Sequence, residues 1–188
     1  MTVHPITVLP QDAAVLRAKA VRIRKVDRST HQLVEHMIDS MYAANGVGLA
    51  APQIGVSLRV VVIGIPGEQP FALINPQVVR TVGERLVTEG CLSVPGYRAE
   101  ITRSSRVVVK ALDLNGREIR IRAEDDLLAQ ALEHEINHVN GIIYIDHIQT
   151  RDQLRAVADE VDLDTDGNGD GGIERIDHPP GAREIEHQ

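Results

Sequence analysis

Residues 125–141 read DDLLAQALEHEINHVNG, and the periodicity of this stretch decides how the chain is put together. Leu127, Leu128, Ala131, Leu132 and Ile136 recur at helical spacing and form one apolar stripe. Asp125 or Asp126 stands where a helix N-cap is wanted, and Gly141 follows Asn140 where the helix should stop. Beside the stripe, His134 and His138 lie four residues apart, so both imidazoles project from one face and can reach a single metal ion. Glu135 then stands where a base toward a metal-bound water is needed. Cys91, the only cysteine of the chain, is a candidate third ligand that would leave the fourth position open, as catalytic sites require.

Outward from this helix the pattern changes. A short helix is expected over 11–19 after Pro10, and a longer one from an N-cap at Ser29 to about Ala44, where Asn45-Gly46 ends it. Residues 59–65 are rich in Val and Ile and read as a buried strand, with further strands over 71–74, 77–88 and 97–101. Residues 106–114 and 117–122 flank Asn115-Gly116, the strongest hairpin signal in the chain. A further helix is expected over 151–160. The expected fold class is α+β, with mixed or antiparallel sheets packed around a central metal-binding helix.

At 188 residues and 43% hydrophobic, the chain can bury one core, and a single domain over 1–160 is expected. Residues 159–188 carry 10 acidic and 2 basic side chains, a net of −8, whereas the remainder carries 17 acidic and 18 basic, a net of +1. The acidity thus belongs to a C-terminal tail, taken as 161–188, whose Asp, Gly, Asn and Pro content is that of a disordered segment. Within it, residues 164–170 look superficially like a calcium loop, but Arg175 stands where loop position 12 needs a glutamate. No leader or membrane-spanning run is visible, and one cysteine forms no intramolecular disulfide, so a cytoplasmic protein is expected. Phe71, Tyr42, Tyr97 and Tyr144 are too few aromatics for a base-stacking nucleic-acid platform. The cluster Arg17, Lys19, Arg22, Arg24, Lys25 and Arg28 reads as a solvated face, with ribosomal contact as a weaker reading. His4, His31, His36, His147, His178 and His187 are read as ordinary surface or core residues.

The pentapeptide His134-Glu135-Ile136-Asn137-His138 also marks metalloproteases, so two further segments matter. Residues 46–53, GVGLAAPQ, and 89–93, EGCLS, stand upstream in a fixed order. Together the three blocks resemble the signature of the peptide deformylases, and the resemblance covers roughly residues 5 to 155. It implies a metal-dependent hydrolase that removes the formyl group from the N-terminal formylmethionine of nascent polypeptides by attack of a metal-bound water. Cys91, His134 and His138 are then the ligands and Glu135 the general base. The side-chain amide of Gln53 and the backbone N–H of Leu92 are implied as the two donors to the oxyanion.

By the same resemblance, Gly46, Val47 and Gly48 lie along an extended substrate peptide, where a side chain at either glycine would obstruct. Val47, Val87, Leu127 and Ala131 are read partly as core and partly as wall of the pocket for the substrate methionine. One cysteine with two histidines suits zinc, iron, cobalt or nickel, and the family implies ferrous iron as the physiological metal, with zinc also seen. A monomer is the expected state. Two positions depart from the family pattern: Asn137 where it usually has Asp, and Glu133 where it usually has Gln. Neither is a ligand or the base; the missing carboxylate reads as an outer-shell or helix-anchoring group facing Arg103, bearing on rate and metal retention. The rival readings are a non-catalytic deformylase-like protein that binds metal or peptide, and a general metallopeptidase.

Overall fold

The computed structural model describes residues 2–157 and 186–187. Strand β2 (Val60–Ile63) is buried along its whole length. Alternate residues of a strand face opposite sides, and here both sides are covered. Val60 and Val62 pack with Met37, Met41 and Leu49, while Val61 and Ile63 pack with Leu132, Ile136 and Val139. Helix α2 (Arg28–Ala43) therefore lies on one face of the sheet and helix α3 (Leu127–His138) on the other. A short helix α1 (Ala13–Arg17) precedes them, shorter than the expected 11–19.

Six strands form the larger sheet in the order β1 (Gly48–Ala50), β2, β3 (Phe71–Val82), β6 (Arg106–Leu112), β7 (Glu118–Glu124) and β9 (Glu186–His187), every neighbour antiparallel. A second sheet holds β4 (Arg85–Cys91), β5 (Val94–Arg103) and β8 (Leu154–Ala156), also antiparallel. Leu16, Ala99, Ile101, Ile143 and Tyr144 form its core. The α+β class with sheets around the metal-bearing helix is what the sequence led one to expect.

Several local expectations are corrected. Asp27, not Ser29, caps α2: its Oδ1 accepts from the N–H groups of Ser29 (3.0 Å) and Thr30 (3.2 Å). A carboxylate at a helix N-terminus also meets the helix dipole, which a hydroxyl does not. The strand pieces expected over 71–74 and 77–88 are divided elsewhere. β3 runs unbroken past Asn75, whose side chain takes both backbone groups of Ile23 (2.9 and 2.8 Å) at a register shift. The break falls after Val82, at Gly83, and sends β4 into the other sheet.

The hairpin sits where Asn115-Gly116 placed it, but with a longer loop than a two-residue turn. Leu112 and Glu118 are the last paired residues, and Asp113 accepts from the N–H groups of Asn115 and Arg117, both at 2.8 Å. The described part of the expected 151–160 helix is instead a 3-10 turn, Arg151–Gln153, and strand β8. Gln153 caps the turn by accepting from the N–H groups of Gln149 and Thr150 (2.6 and 3.0 Å), and β8 pairs with the open edge of β5. Residues 158–160, the boundary at 160, the 164–170 loop and the tail, apart from 186–187, lie outside the described residues.

Helix α3 is capped by Asp126, which accepts from the Ala129 N–H at 2.7 Å. At its other end the buried Arg59 donates to the Val139 carbonyl (3.0 Å), Asn140 Oδ1 (2.7 Å) and the Pro76 carbonyl (2.8 Å), fastening the helix terminus to the sheet. Gly141 then turns the chain at φ 77°, and a Cβ there would lie 2.4 Å from the Arg17 carbonyl oxygen. Both the left-handed conformation and the collision exclude a side chain. Gly141→Ala is expected to lower unfolding stability by at least about 2 kcal/mol, read as a lower urea midpoint with unchanged slope.

Candidate metal centre and active site

Helix α3 sits between the two sheets, so one flank meets the six-stranded core and the other faces β4. His134 and His138 project from that second flank, and Cys91 ends β4. The three donor atoms lie within 4.8 Å of one another, with Cys91 Sγ 3.2 Å from His138 Nε2. Among the described residues this is the only such cluster of possible ligands. A soft thiolate and two imidazoles fit a divalent first-row transition metal. The electrostatics fit as well. Glu135 Oε2 is buried without a hydrogen-bond partner, a cost that a nearby cation relieves.

Each member of the site is held by something local. Gln53 lies in a 3-10 turn, Ala51–Ile54, and its Oε1 accepts from the Ala50 N–H at 2.8 Å. That bond turns Nε2 toward Cys91 Sγ (3.6 Å) and Ser93 Oγ (3.3 Å). The Ser93 N–H also points at Cys91 Sγ, at 3.4 Å.

Glu135 is 4% exposed and lies against the backbone of Gly48, where a Cβ would sit 2.6 Å from Glu135 Oε1. Gly48 is therefore required first of all by the carboxylate beneath it, a reason the sequence did not suggest. Burial raises the Glu135 pKa to about 7, so the group can take and return a proton near neutrality. Burial also pushes His138 down, with His134 adding to it, which keeps the imidazole neutral as a ligand must be. Burial acts the same way on His134, but the bonds with Cys91 and Glu89 outweigh it and hold the imidazole well above its usual value.

Glu89 was part of a sequence block but was given no role, and it organises the site. It is 2% exposed, and Arg103 donates to both its oxygens, Nε to Oε1 at 2.7 Å and Nη2 to Oε2 at 2.9 Å. His134 Nδ1 lies 2.7 Å from Oε2, which turns the imidazole so that its other nitrogen faces Cys91 within the ligand cluster. Burial pushes the Glu89 carboxyl up, yet the bonds from Arg103 and then His134 overcome this and hold it at about 2. The only signals in the sequence were a glutamate two residues before Cys91 and an arginine in a strand, and neither reveals that they meet.

The departures also find places. Glu133 accepts from the Ser104 N–H (2.9 Å) and hydroxyl (3.0 Å), anchoring the β5–β6 turn to α3. Asn137 lies not against Arg103 but against His147, with Nδ2 to Nε2 at 2.9 Å. His147, read as an ordinary histidine, is thus joined to the network, and Arg103 Nη1 reaches the same nitrogen at 3.4 Å.

A cavity of about 610 Å³ opens in front of the centre. Gly46, Val47, Gly48, Leu92, Leu127 and Ala131 line it together with Gln53, Cys91, His134 and Glu135. Val87 is the exception among the expected wall residues. It shares a face of β4 with Glu89 and Cys91 but packs, half-buried, with the Leu16, Ile101 and Tyr144 cluster.

A Cys-His-His cluster beside the buried carboxylate of Glu135, set at a cavity between a helix and the end of a strand, defines a metal-dependent hydrolase. A polypeptide deformylase family profile matches residues 3–154, and the chain belongs to that family. It is 46% identical over 162 residues to a peptide deformylase of Thermomicrobium roseum, covering 82% of this chain and 92% of that one. A peptide deformylase of Dehalococcoides mccartyi strain CBDB1 is 45% identical over 164 residues, covering 87% and 96%. Among solved structures, a peptide deformylase from Legionella pneumophila superposes with a TM-score of 0.74 at 43% identity, covering 79% of this chain and 87% of that one.

Removing the Glu89 charge has two expected consequences. Glu89→Gln leaves buried Arg103 without a counter-charge and should destabilise the fold by about 3–5 kcal/mol at pH 7. It should also weaken metal affinity by about 10–100-fold, measured by chelator competition. The pH dependence has a definite sign, because the folded pKa is depressed. The Glu89 contribution is complete above its ordinary value of 4.5 and is lost as pH falls toward about 2, a span worth about 3 kcal/mol. The acid limb of stability between those values should therefore flatten in the variant.

Proposed function

We propose that this chain removes the formyl group from the N-terminal formylmethionine of nascent polypeptides, releasing formate and a free α-amine. The observation that carries the reading is the convergence of Gln53, Cys91 and Glu135 on one point at the mouth of the cavity. Cys91, His134 and His138 would hold the metal, which when bound supplies Lewis acidity toward water and the formyl oxygen.

The rest follows from the chain's own groups. Glu135 takes the proton of the attacking water as the new C–O bond forms, and returns it to the departing amine as the C–N bond breaks. The Gln53 Nε2 amide and the Leu92 N–H donate to the oxygen that gains charge as the carbon becomes tetrahedral. Val47, Leu92, Leu127 and Ala131 receive the unbranched methionine side chain. Among the described residues β1 is the edge strand of its sheet, so its backbone from Gly48, with residues 46 and 47 leading into it, can lie along the extended peptide that follows methionine.

In this reading ferrous iron is the physiological metal, with zinc, nickel or cobalt as substitutes, since soft sulfur with two imidazoles accepts all four. The protein acts as a monomer in the cytoplasm, where such nascent chains emerge. The exposed cluster of Arg22, Arg24, Lys25 and Arg28 is available for contact with the ribosome.

The test is formate release from formyl-Met-Ala-Ser by anaerobically iron-loaded protein. Glu135→Gln should retain metal and lose about 10²–10⁴ in kcat, the range of a general base. Gln53→Ala should lose about 10²–10³, the range of one oxyanion donor. Cleavage of unformylated peptides, with formyl-Met-Ala-Ser left intact, would replace this reading by a general peptidase.

A further inference from the structure

We propose that His147 is a positioning residue for the metal centre, acting with Asn137 to hold Arg103, and through Arg103 and Glu89 to orient the ligand His134. The inference rests on the metal-binding role assigned to His134 above. His147 ends the 3-10 turn Tyr144–His147 and is exposed on its outer side, far in sequence from the groups it meets.

Arginine has no acceptor, so its contact with His147 settles the chemistry of the whole cluster. Arg103 Nη1, 3.4 Å from His147 Nε2, can only donate, so Nε2 must carry a lone pair and the ring proton must sit on Nδ1. The Asn137 side chain, 2.9 Å from the same Nε2, must then present its NH₂ rather than its carbonyl. One unprotonated imidazole nitrogen thus receives two donors. Partial burial, then Arg103, push His147 below its ordinary pKa, in keeping with a neutral ring.

Arg103 is nearly buried and spends Nε and Nη2 on Glu89, which leaves Nη1 to be placed by His147. An amide at 137 suits this arrangement because it donates. A carboxylate there would face the lone pair of Nε2 with another lone pair, and would turn to Arg103 itself. Asn137 and His147 therefore work as a pair in this chain. Together they place the free edge of Arg103 and keep the Arg103–Glu89–His134 line in register. The metal centre reaches the surface along this line, at a residue that no ligand pattern would select.

The experiment is a double-mutant cycle on the full-length chain loaded with cobalt, read by chelator competition and by the visible d–d spectrum. His147→Ala should weaken cobalt affinity about tenfold, the low end for an outer-shell partner, and shift the d–d envelope as His134 reorients. His147→Gln, whose Oε1 can accept from the same donors, should recover most of the affinity and the spectrum. In an Asn137→Asp background, His147→Ala should cost less than about twofold, because the new carboxylate takes Arg103 directly. An unchanged spectrum and affinity in His147→Ala would overturn the proposal, as would equal losses in both backgrounds, which would mark a merely structural residue. None of these readouts requires turnover, so they stand or fall separately from formyl hydrolysis.

Discussion

A fully buried carboxylate, Glu89, is the constraint on which the rest of this structure depends. Removing a charge of that kind from water is costly, and only close, well-shaped partners offset it. Arg103 supplies a two-pronged partner from the neighbouring strand, and His134 supplies another from α3. The same three groups therefore join β4, β5 and the helix at one point. If the carboxylate is satisfied, the smaller sheet is correctly placed against α3, and His134 is correctly turned. Fold and site are linked through this one buried cluster.

The arrangement explains why the centre is carried on regular structure rather than on loops. α3 is anchored to the six-stranded sheet by Leu132, Ile136 and Val139, and its terminus is tied down by Arg59. Cys91 stands at the end of a paired strand, and Gln53 is turned by its own bond to Ala50. Each donor is thus fixed before any metal arrives, which limits the reorganisation that binding requires. Glu135 gains from the same rigidity. Gly48 lets the carboxylate settle against a strand backbone, where burial brings its acidity close to neutral.

Elements whose cause is local were legible in the sequence. The buried run of β2, the α3 stripe, the stop at Gly141 and the hairpin near Asn115 all follow from short-range pattern. Errors arose where two local signals competed or where a distant edge decided. Asp27 and Ser29 are both good caps, and the geometry of the first turn chose the carboxylate. Residues 151–156 have no strong preference of their own, and the open edge of β5 drew them into a turn and strand that the helical reading missed. Val87, read as partly core and partly wall, shares a strand face with Glu89 and Cys91, and its side chain packs in the second core.

By itself the sequence singled out Cys91, His134 and His138 as a candidate ligand set, Glu135 and Gln53 as residues beside it, and the helix that carries both histidines. His134, Glu135 and His138 depend on spacings of a few positions, which a helix converts directly into geometry, whereas the roles of Cys91 and Gln53 rest on the blocks that carry the family resemblance. Only the tertiary structure decided what holds them. Glu89 meets Arg103 across 14 positions and His134 across 45. Asn137 meets His147 across one turn that no periodicity connects to the helix. Contacts of this range come from how sheets and helix pack, and many sequences with the same local pattern could pack them otherwise. The reagents of the site are local in origin, and their alignment is a property of the whole fold.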